Sequence, residues 1–335
     1  MLDTTGLSGP LRSGDRKSLS KAITLVESTL RDDRVLIAGL MDSLVLKGSR
    51  QALRIGLTGP PGAGKSTFVD AFGTWLTERG KKLAVLAVDP SSSRTGGSIL
   101  GDKTRMERLL QDSNAFVRPS PTGTASGGVS RRTREAVYLC EQAGFDIVLV
   151  ETAGVGQSET NVSEMSDIFV LMLPPAAGDE LQGVKRGIME FADLVLVSKA
   201  DGDLENAARQ TCAQFASALQ LFARRKQIPP GYPKAFMISS REKIGLNEFW
   251  KEIGKLETWR KDNGTWLDTR RRQETKWLQA EIQESLLEEL LDRQEVRQTL
   301  IEAEQRVLSG QVSPTSAATT ALRSIRFGWR QAKEC

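Results

Sequence analysis

The segment Gly59-Pro60-Pro61-Gly62-Ala63-Gly64-Lys65-Ser66 has the spacing G-x-x-x-x-G-K-[ST], and each residue type in it suits the binding of a polyphosphate. Glycines let the backbone curl so that successive N–H groups converge on phosphate oxygens, and a helix opening at the lysine adds the positive end of its dipole. Lys65 is placed to reach the β- and γ-phosphates as a catalytic charge. The Ser66 hydroxyl is placed to ligate magnesium, and Thr67 continues the stretch offered to a nucleotide.

Magnesium is a hard ion that takes oxygen ligands and keeps waters beside one or two carboxylates. Three acids could serve it. Asp89 ends the apolar run 83–88, Glu151 ends the run 146–150, and Asp102 sits in Gly101-Asp102-Lys103-Thr104-Arg105. In an open parallel sheet ligands bind beyond the carboxyl ends of the strands, which favours Asp89 and Glu151 and leaves Asp102 open on this argument. Thr152-Ala153-Gly154 then stands where a switch loop meets a γ-phosphate, with the Gly154 N–H able to approach closely. Gln157 could orient an attacking water, and it equally fits an exposed polar loop.

A second constellation suits a purine. Ser198-Lys199-Ala200-Asp201 follows an apolar run and resembles N/T-K-x-D. A carboxylate at Asp201 can accept from both N1–H and the 2-amino group of guanine, a pattern adenine lacks, while the Lys199 stem can lie over the ring. Ser239-Ser240-Arg241, after the run 234–238, resembles the loop whose backbone N–H meets guanine O6. Ser198 stands where asparagine is usual; its shorter side chain predicts weaker nucleotide binding with the same base choice.

Composition removes other chemistries. The 335 residues contain no histidine, which excludes a Ser-His-Asp triad, a His-ligated zinc and a His general base. Forty-six Lys and Arg against 42 Asp and Glu leave a net charge of +4, too small over this length to argue for nucleic acid. The runs Arg270-Arg271-Arg272 and Arg323 to Lys333 read as solvated helix faces. Three cysteines without a CxxC pair fit a reducing compartment, the cytoplasm by default. No apolar run approaches the roughly 18 residues of a membrane span.

The elements that must hold these residues follow from periodicity. Residues 1–50 read as an N-terminal helical segment. From 51 to 260 short apolar runs alternate with amphipathic stretches, as in a parallel sheet with crossover helices. Strands are predicted at 53–58, 83–88, 115–118, 146–151, 168–173, 193–198 and 234–239, with helices at 65–79, 99–111, 128–143, 182–191, 203–226 and 246–259. Residues 261–335 form a C-terminal helical extension, with one long helix over 266–308 and a last one over 315–332. Leu278, Ile282, Leu286, Leu287, Leu290 and Leu291 lie on one side of the long helix, and that stripe must be buried against the core or against a second copy. The fold class is α/β, a phosphate-loop parallel sheet flanked by helices, with a helical cap at one end of the chain and a helical extension at the other.

Long ordered segments carry a resemblance over nearly the whole chain. They include Gly14-Asp15-Arg16, Val88-Asp89-Pro90-Ser91-Ser92, Thr95 to Met106, Glu151 to Glu159 and Gly178-Asp179-Glu180-Leu181-Gln182-Gly183. The chain resembles the MeaB/ArgK family of GTPases, bacterial relatives of the human protein affected in cblA-type methylmalonic aciduria. The resemblance implies a magnesium-dependent GTPase that serves an adenosylcobalamin-dependent acyl-CoA mutase, typically methylmalonyl-CoA mutase, as chaperone and gatekeeper. An adenosyltransferase is a further candidate partner. It also implies a homodimer through the C-terminal helices, with neither nucleic acid nor membrane as partner. Asp89, Asp102 and Glu151 correspond to acids around the magnesium, and Asp179, Gln182 and Lys185 to a third switch segment, Lys185 being a catalytic candidate. Ala153, Ser198 and Pro174-Pro175-Ala176-Ala177 depart from the family pattern. Two alternatives stand beside this reading, a phosphate-loop kinase of a small molecule and an ATPase accessory to amino-acid transport.

Overall fold

Each apolar run becomes a strand because Val, Ile and Leu fit a pleat buried on both faces. The computed structural model describes residues 5–28, 30–46, 48–89, 106–121, 128–152, 158–175, 186–222 and 228–331. Within these lie β1 (Leu53–Thr58), β2 (Leu83–Asp89), β3 (Ala115–Pro121), β4 (Ile147–Thr152), β5 (Ile168–Leu173), β6 (Leu194–Val197) and β7 (Lys234–Met237). They form one parallel sheet in the order β3-β2-β4-β1-β5-β6-β7. All seven predicted strands are present.

The connections place the site. From β1, at the centre, the chain crosses first to one side of the sheet and later, through β5, β6 and β7, to the other. Such a reversal opens a crevice at the carboxyl end of the strand where it occurs. The register sets Leu57 of β1 opposite Glu151 of β4, so Glu151 stands beside the loop that leaves β1.

Helices cover both faces. On one, α2 (Arg16–Glu27), α3 (Arg31–Leu46), α6 (Gly128–Gln142) and α9 (Glu205–Leu219) bury Leu19, Ile23, Leu40, Leu139 and Phe215 against Val148, Val150 and Leu171. On the other, α4 (Lys65–Thr77) and α10 (Leu246–Asp262) bury Phe68, Phe72, Phe249 and Ile253 against Ile147, Leu149 and Val170. Alternate residues of β4 thus feed opposite cores, the period-two signature of a strand. The Phe72 and Phe249 rings meet edge to face at 5.1 Å. Shorter helices are α1 (Ser8–Arg12), α5 (Glu107–Gln111), α7 (Ser158–Ser163) and α8 (Arg186–Met189). The N-terminal helices are held by charge as well as by packing: Arg34 grips Glu135 of α6 through two hydrogen bonds of 2.9 Å.

The chain divides into two compact units, Met1–Thr275 and Lys276–Cys335. The division falls inside α11 (Thr265–Asp292), which is followed by α12 (Gln294–Leu308) and α13 (Pro314–Gln331). The single helix expected over 266–308 is therefore two. Arg293 adopts an extended conformation with ψ at 123°, and the Arg297 guanidinium turns back onto the Leu291 carbonyl at 2.5 Å and the Asp292 carboxylate at 3.1 Å. A side chain of the second helix thereby satisfies a terminal carbonyl of the first, so the break needs neither Gly nor Pro. A second correction concerns Arg270. It is only 4% exposed, whereas Arg271 and Arg272 are exposed, so the run is not wholly a solvated face.

Candidate active site

Gly59 leaves β1 with φ at +156°, and a Cβ placed on it would lie 2.0 Å from the Met172 carbonyl oxygen of β5. Only a residue without a side chain lets the loop pass that close to the neighbouring strand. Gly59→Ala is therefore expected to lower stability by about 1–3 kcal/mol, as overpacking against unyielding backbone does, and thermal unfolding would measure it. Gly62 and Gly64 hold left-handed φ values of +79° and +83°, and Gly64 caps α4 from that conformation. Between them the Ala63 N–H closes the turn on the Pro60 carbonyl, and Pro61 is exposed.

Lys65 opens α4 and is only 6% exposed; its ammonium donates to the carbonyls of Gly59 at 2.7 Å and Pro60 at 3.1 Å. The positive charge is thus held over the cup of the loop. Ser66 follows, its hydroxyl donating at 3.0 Å to Oε1 of Glu151, a carboxylate 5% exposed at the end of β4. Thr67 is exposed. Behind this pair the hydroxyls of Thr58 and Thr152, both fully buried, meet at 2.9 Å and join the ends of β1 and β4. A half-buried hydroxyl in contact with a buried carboxylate forms an oxygen set that suits hard magnesium. Among the described residues no three acids converge as a metal cluster. Asp89 ends β2 in register with Pro121, while Asp102, Gly154, Gln157, Lys185 and the Asp89 side chain lie outside the described residues.

The residues expected to read the base come together at the ends of β6 and β7. Ser198 is buried, and Lys199 takes a left-handed φ of +53°, unusual for a residue with a side chain. Asp201 accepts a hydrogen bond from the Ser239 hydroxyl, which in turn accepts from the Glu242 N–H at 3.1 Å. Ser239 also pairs through its backbone with Ile244 in both directions, closing a tight loop in which Ser240 is half-buried and Arg241 exposed. The structure thus brings Ser198, Lys199, Asp201 and Ser239 to one sheet edge and Lys65, Ser66 and Glu151 to the crevice at β1.

The sequence model described as "Methylmalonyl Co-A mutase-associated GTPase MeaB" matches residues 19–295. This chain is a member of the MeaB family. As a MeaB-family protein it is a GTP hydrolase, and its relatives bear names of that kind. It is 47% identical over 325 residues to a mouse protein named "Methylmalonic aciduria type A homolog, mitochondrial", covering 94% of this chain and 78% of that one. It is 43% identical over 303 residues to the Escherichia coli "GTPase ArgK", covering 89% and 91%. Among solved structures, one titled "Crystal structure of LAO/AO transport system kinase" superposes with a TM-score of 0.71 at 33% identity over 97% of this chain and 99% of that one.

Three features of this MeaB-family site escape a reading of motifs. The Thr58 hydroxyl, the Met172 carbonyl under Gly59 and the Ser239 hydroxyl on Asp201 all depend on which strand ends become neighbours. The loop pattern speaks only for the Ser239 backbone, whereas its hydroxyl also donates to Asp201. Among the described residues no helix is long and apolar enough to cross a membrane.

Proposed function

We propose that this GTPase turns over magnesium-bound GTP at the crevice of β1 and uses the cycle to gate an adenosylcobalamin-dependent acyl-CoA mutase, methylmalonyl-CoA mutase foremost. The family description, mutase-associated, carries the partner assignment. The pairing of half-buried Ser66 with buried Glu151 beside Lys65 supports the chemistry.

In this reading the backbone from Gly59 to Thr67 cradles the phosphates, and Lys65 neutralises charge that develops between the β- and γ-phosphates. Ser66 and Glu151, with Asp89 and Asp102, would hold a magnesium ion, which would supply Lewis-acid chemistry there. Gly154 offers its N–H to the γ-phosphate, Gln157 orients the attacking water, and Lys185 joins from the third switch. Asp201, Lys199 and the loop Ser239-Ser240-Arg241 select guanine. Leu278, Ile282, Leu286 and Leu287 of α11 are exposed, and we assign that stripe to a second copy of the chain in a cytoplasmic homodimer. An adenosyltransferase is a further partner to test.

Hydrolysis slow in isolation and accelerated by the partner is the expected behaviour, because an arginine finger cannot be named in this sequence. Phosphate release from GTP, measured with and without a cobalamin-dependent mutase, should rise about tenfold or more with mutase present, in the direction of partner-supplied catalysis known for GTPases. Lys65→Ala should abolish the acceleration. Fast hydrolysis that ignores the mutase would remove the gating role.

A further inference from the structure

The end of β5 touches both halves of the nucleotide site. The Met172 carbonyl lies directly beneath Gly59 of the phosphate loop. The next carbonyl, that of Leu173, accepts two hydrogen bonds from one residue: Ser198 gives it its backbone N–H at 2.8 Å and its hydroxyl at 3.0 Å. Ser198 is 2% exposed, so its hydroxyl is committed to that carbonyl.

The conformation that follows makes this bond consequential. Lys199 stands in the left-handed region at φ +53°, which a residue with a Cβ adopts only when its surroundings hold it there. On its far side the Ala200 N–H bonds the Ile238 carbonyl at 3.1 Å, and Asp201 accepts from Ser239. On its near side the Leu173 contact of Ser198 is the hold. The strained turn is thus pinned at both ends, and one of the pins is the hydroxyl that occupies the asparagine position of N/T-K-x-D.

We propose that Ser198 is a positioning residue that sets guanine recognition, by clamping the Lys199-to-Asp201 turn onto the end of β5. The inference rests on the reading that Asp201 accepts from guanine. Without the hydroxyl the backbone bond to Leu173 remains, but the turn can relax and Asp201 loses its fixed distance from the base edge.

Inosine nucleotides give a readout that general destabilisation would not move. Hypoxanthine keeps N1–H and lacks the 2-amino group, so the ratio of KM for ITP to KM for GTP reports how well Asp201 meets both donors at once. Ser198→Ala is expected to raise KM for GTP about three- to tenfold, the worth of one buried neutral hydrogen bond. It should raise KM for ITP by less, so that the ratio falls, and KM should move more than kcat. Ser198→Thr keeps the donor and should hold the ratio near that of the parent protein. Equal shifts for the two nucleotides, no shift at all, or failure of threonine to preserve the ratio would each overturn the proposal. Asp201→Asn measured alongside separates the two levels. An unchanged preference for guanine over xanthine there removes the base-reading assignment and this inference with it. A switched preference beside an unaltered Ser198→Ala ratio removes only the role of Ser198.

Discussion

Asp201→Asn should weaken binding of guanosine nucleotides roughly 10³-fold or more and create affinity for xanthosine nucleotides in their place. The carboxylate can accept from both guanine donors, whereas a carboxamide offers one oxygen and one NH₂. Which end of the amide faces the base is not free. The Ser239 hydroxyl accepts from the Glu242 N–H at 3.1 Å and donates to Asp201, so the new side chain must turn its oxygen toward Ser239. Its NH₂ then meets the purine edge, where the 2-amino group of guanine is a second donor and the 2-carbonyl of xanthine an acceptor. A site built around hydrogen bonds rejects the mismatched partner strongly because buried polar groups are left unpaired. Calorimetry with GDP, XDP and ADP in magnesium would read all three affinities. An asparagine variant that binds GDP as tightly as the parent would show that the base is read elsewhere.

The legible parts of this molecule are those in which neighbouring residues act together. The run Leu53–Thr58 followed by the glycine-rich loop needed only local pattern, and β1 occupies the residues expected of it. The same holds for the position of Asp201, just past the end of the apolar strand β6. Features made by distant residues were not legible. The meeting of Thr58 with Thr152 is fixed by the parallel register of β1 and β4, which no local window contains. The break at Arg293 was hidden because Arg297, not a helix-breaking residue, caps the preceding helix. Arg270 was disguised by two exposed arginines. Helical periodicity turns it to the same side as Trp266, also buried, and away from Arg271 and Arg272.

Loss of Arg270 should destabilise the fold strongly. Its guanidinium grips both oxygens of Asp167 at 2.6 Å, reaches Glu141 at 2.9 Å and caps the Ala52 carbonyl at 2.7 Å. Arg54 holds Glu141 through bonds of 2.8 and 2.6 Å, and Arg260 holds Asp193 at 2.6 Å while also donating to the Asp167 carbonyl. Among the described residues three guanidiniums thus face three carboxylates at the amino ends of β1, β5 and β6, opposite the nucleotide edge. Arg270→Met leaves one buried carboxylate uncompensated and should cost about 3–5 kcal/mol, read from denaturant unfolding. Adding Asp167→Asn removes the stranded charge and should recover part of the loss; a double variant no more stable than the single one would contradict this account of the network. The pH dependence follows from the carboxylates. Burial pushes the Glu141 carboxyl up, but Arg54 and Arg270 together outweigh it and hold the group below its ordinary range. A depressed folded-state pKa gives stability that is present above the unfolded value and is lost as pH falls through the folded one. Asp167 goes the other way, full burial raising it against the pull of Arg270 and Arg54, so its ionisation at neutral pH depends on those arginines. Removing Arg270 raises both groups further. The gap between parent and Arg270→Met should therefore be widest near neutral pH and narrow through the acidic range as Asp167 and then Glu141 take up protons, whereas a gap independent of pH would mean that Arg270 acts by packing alone.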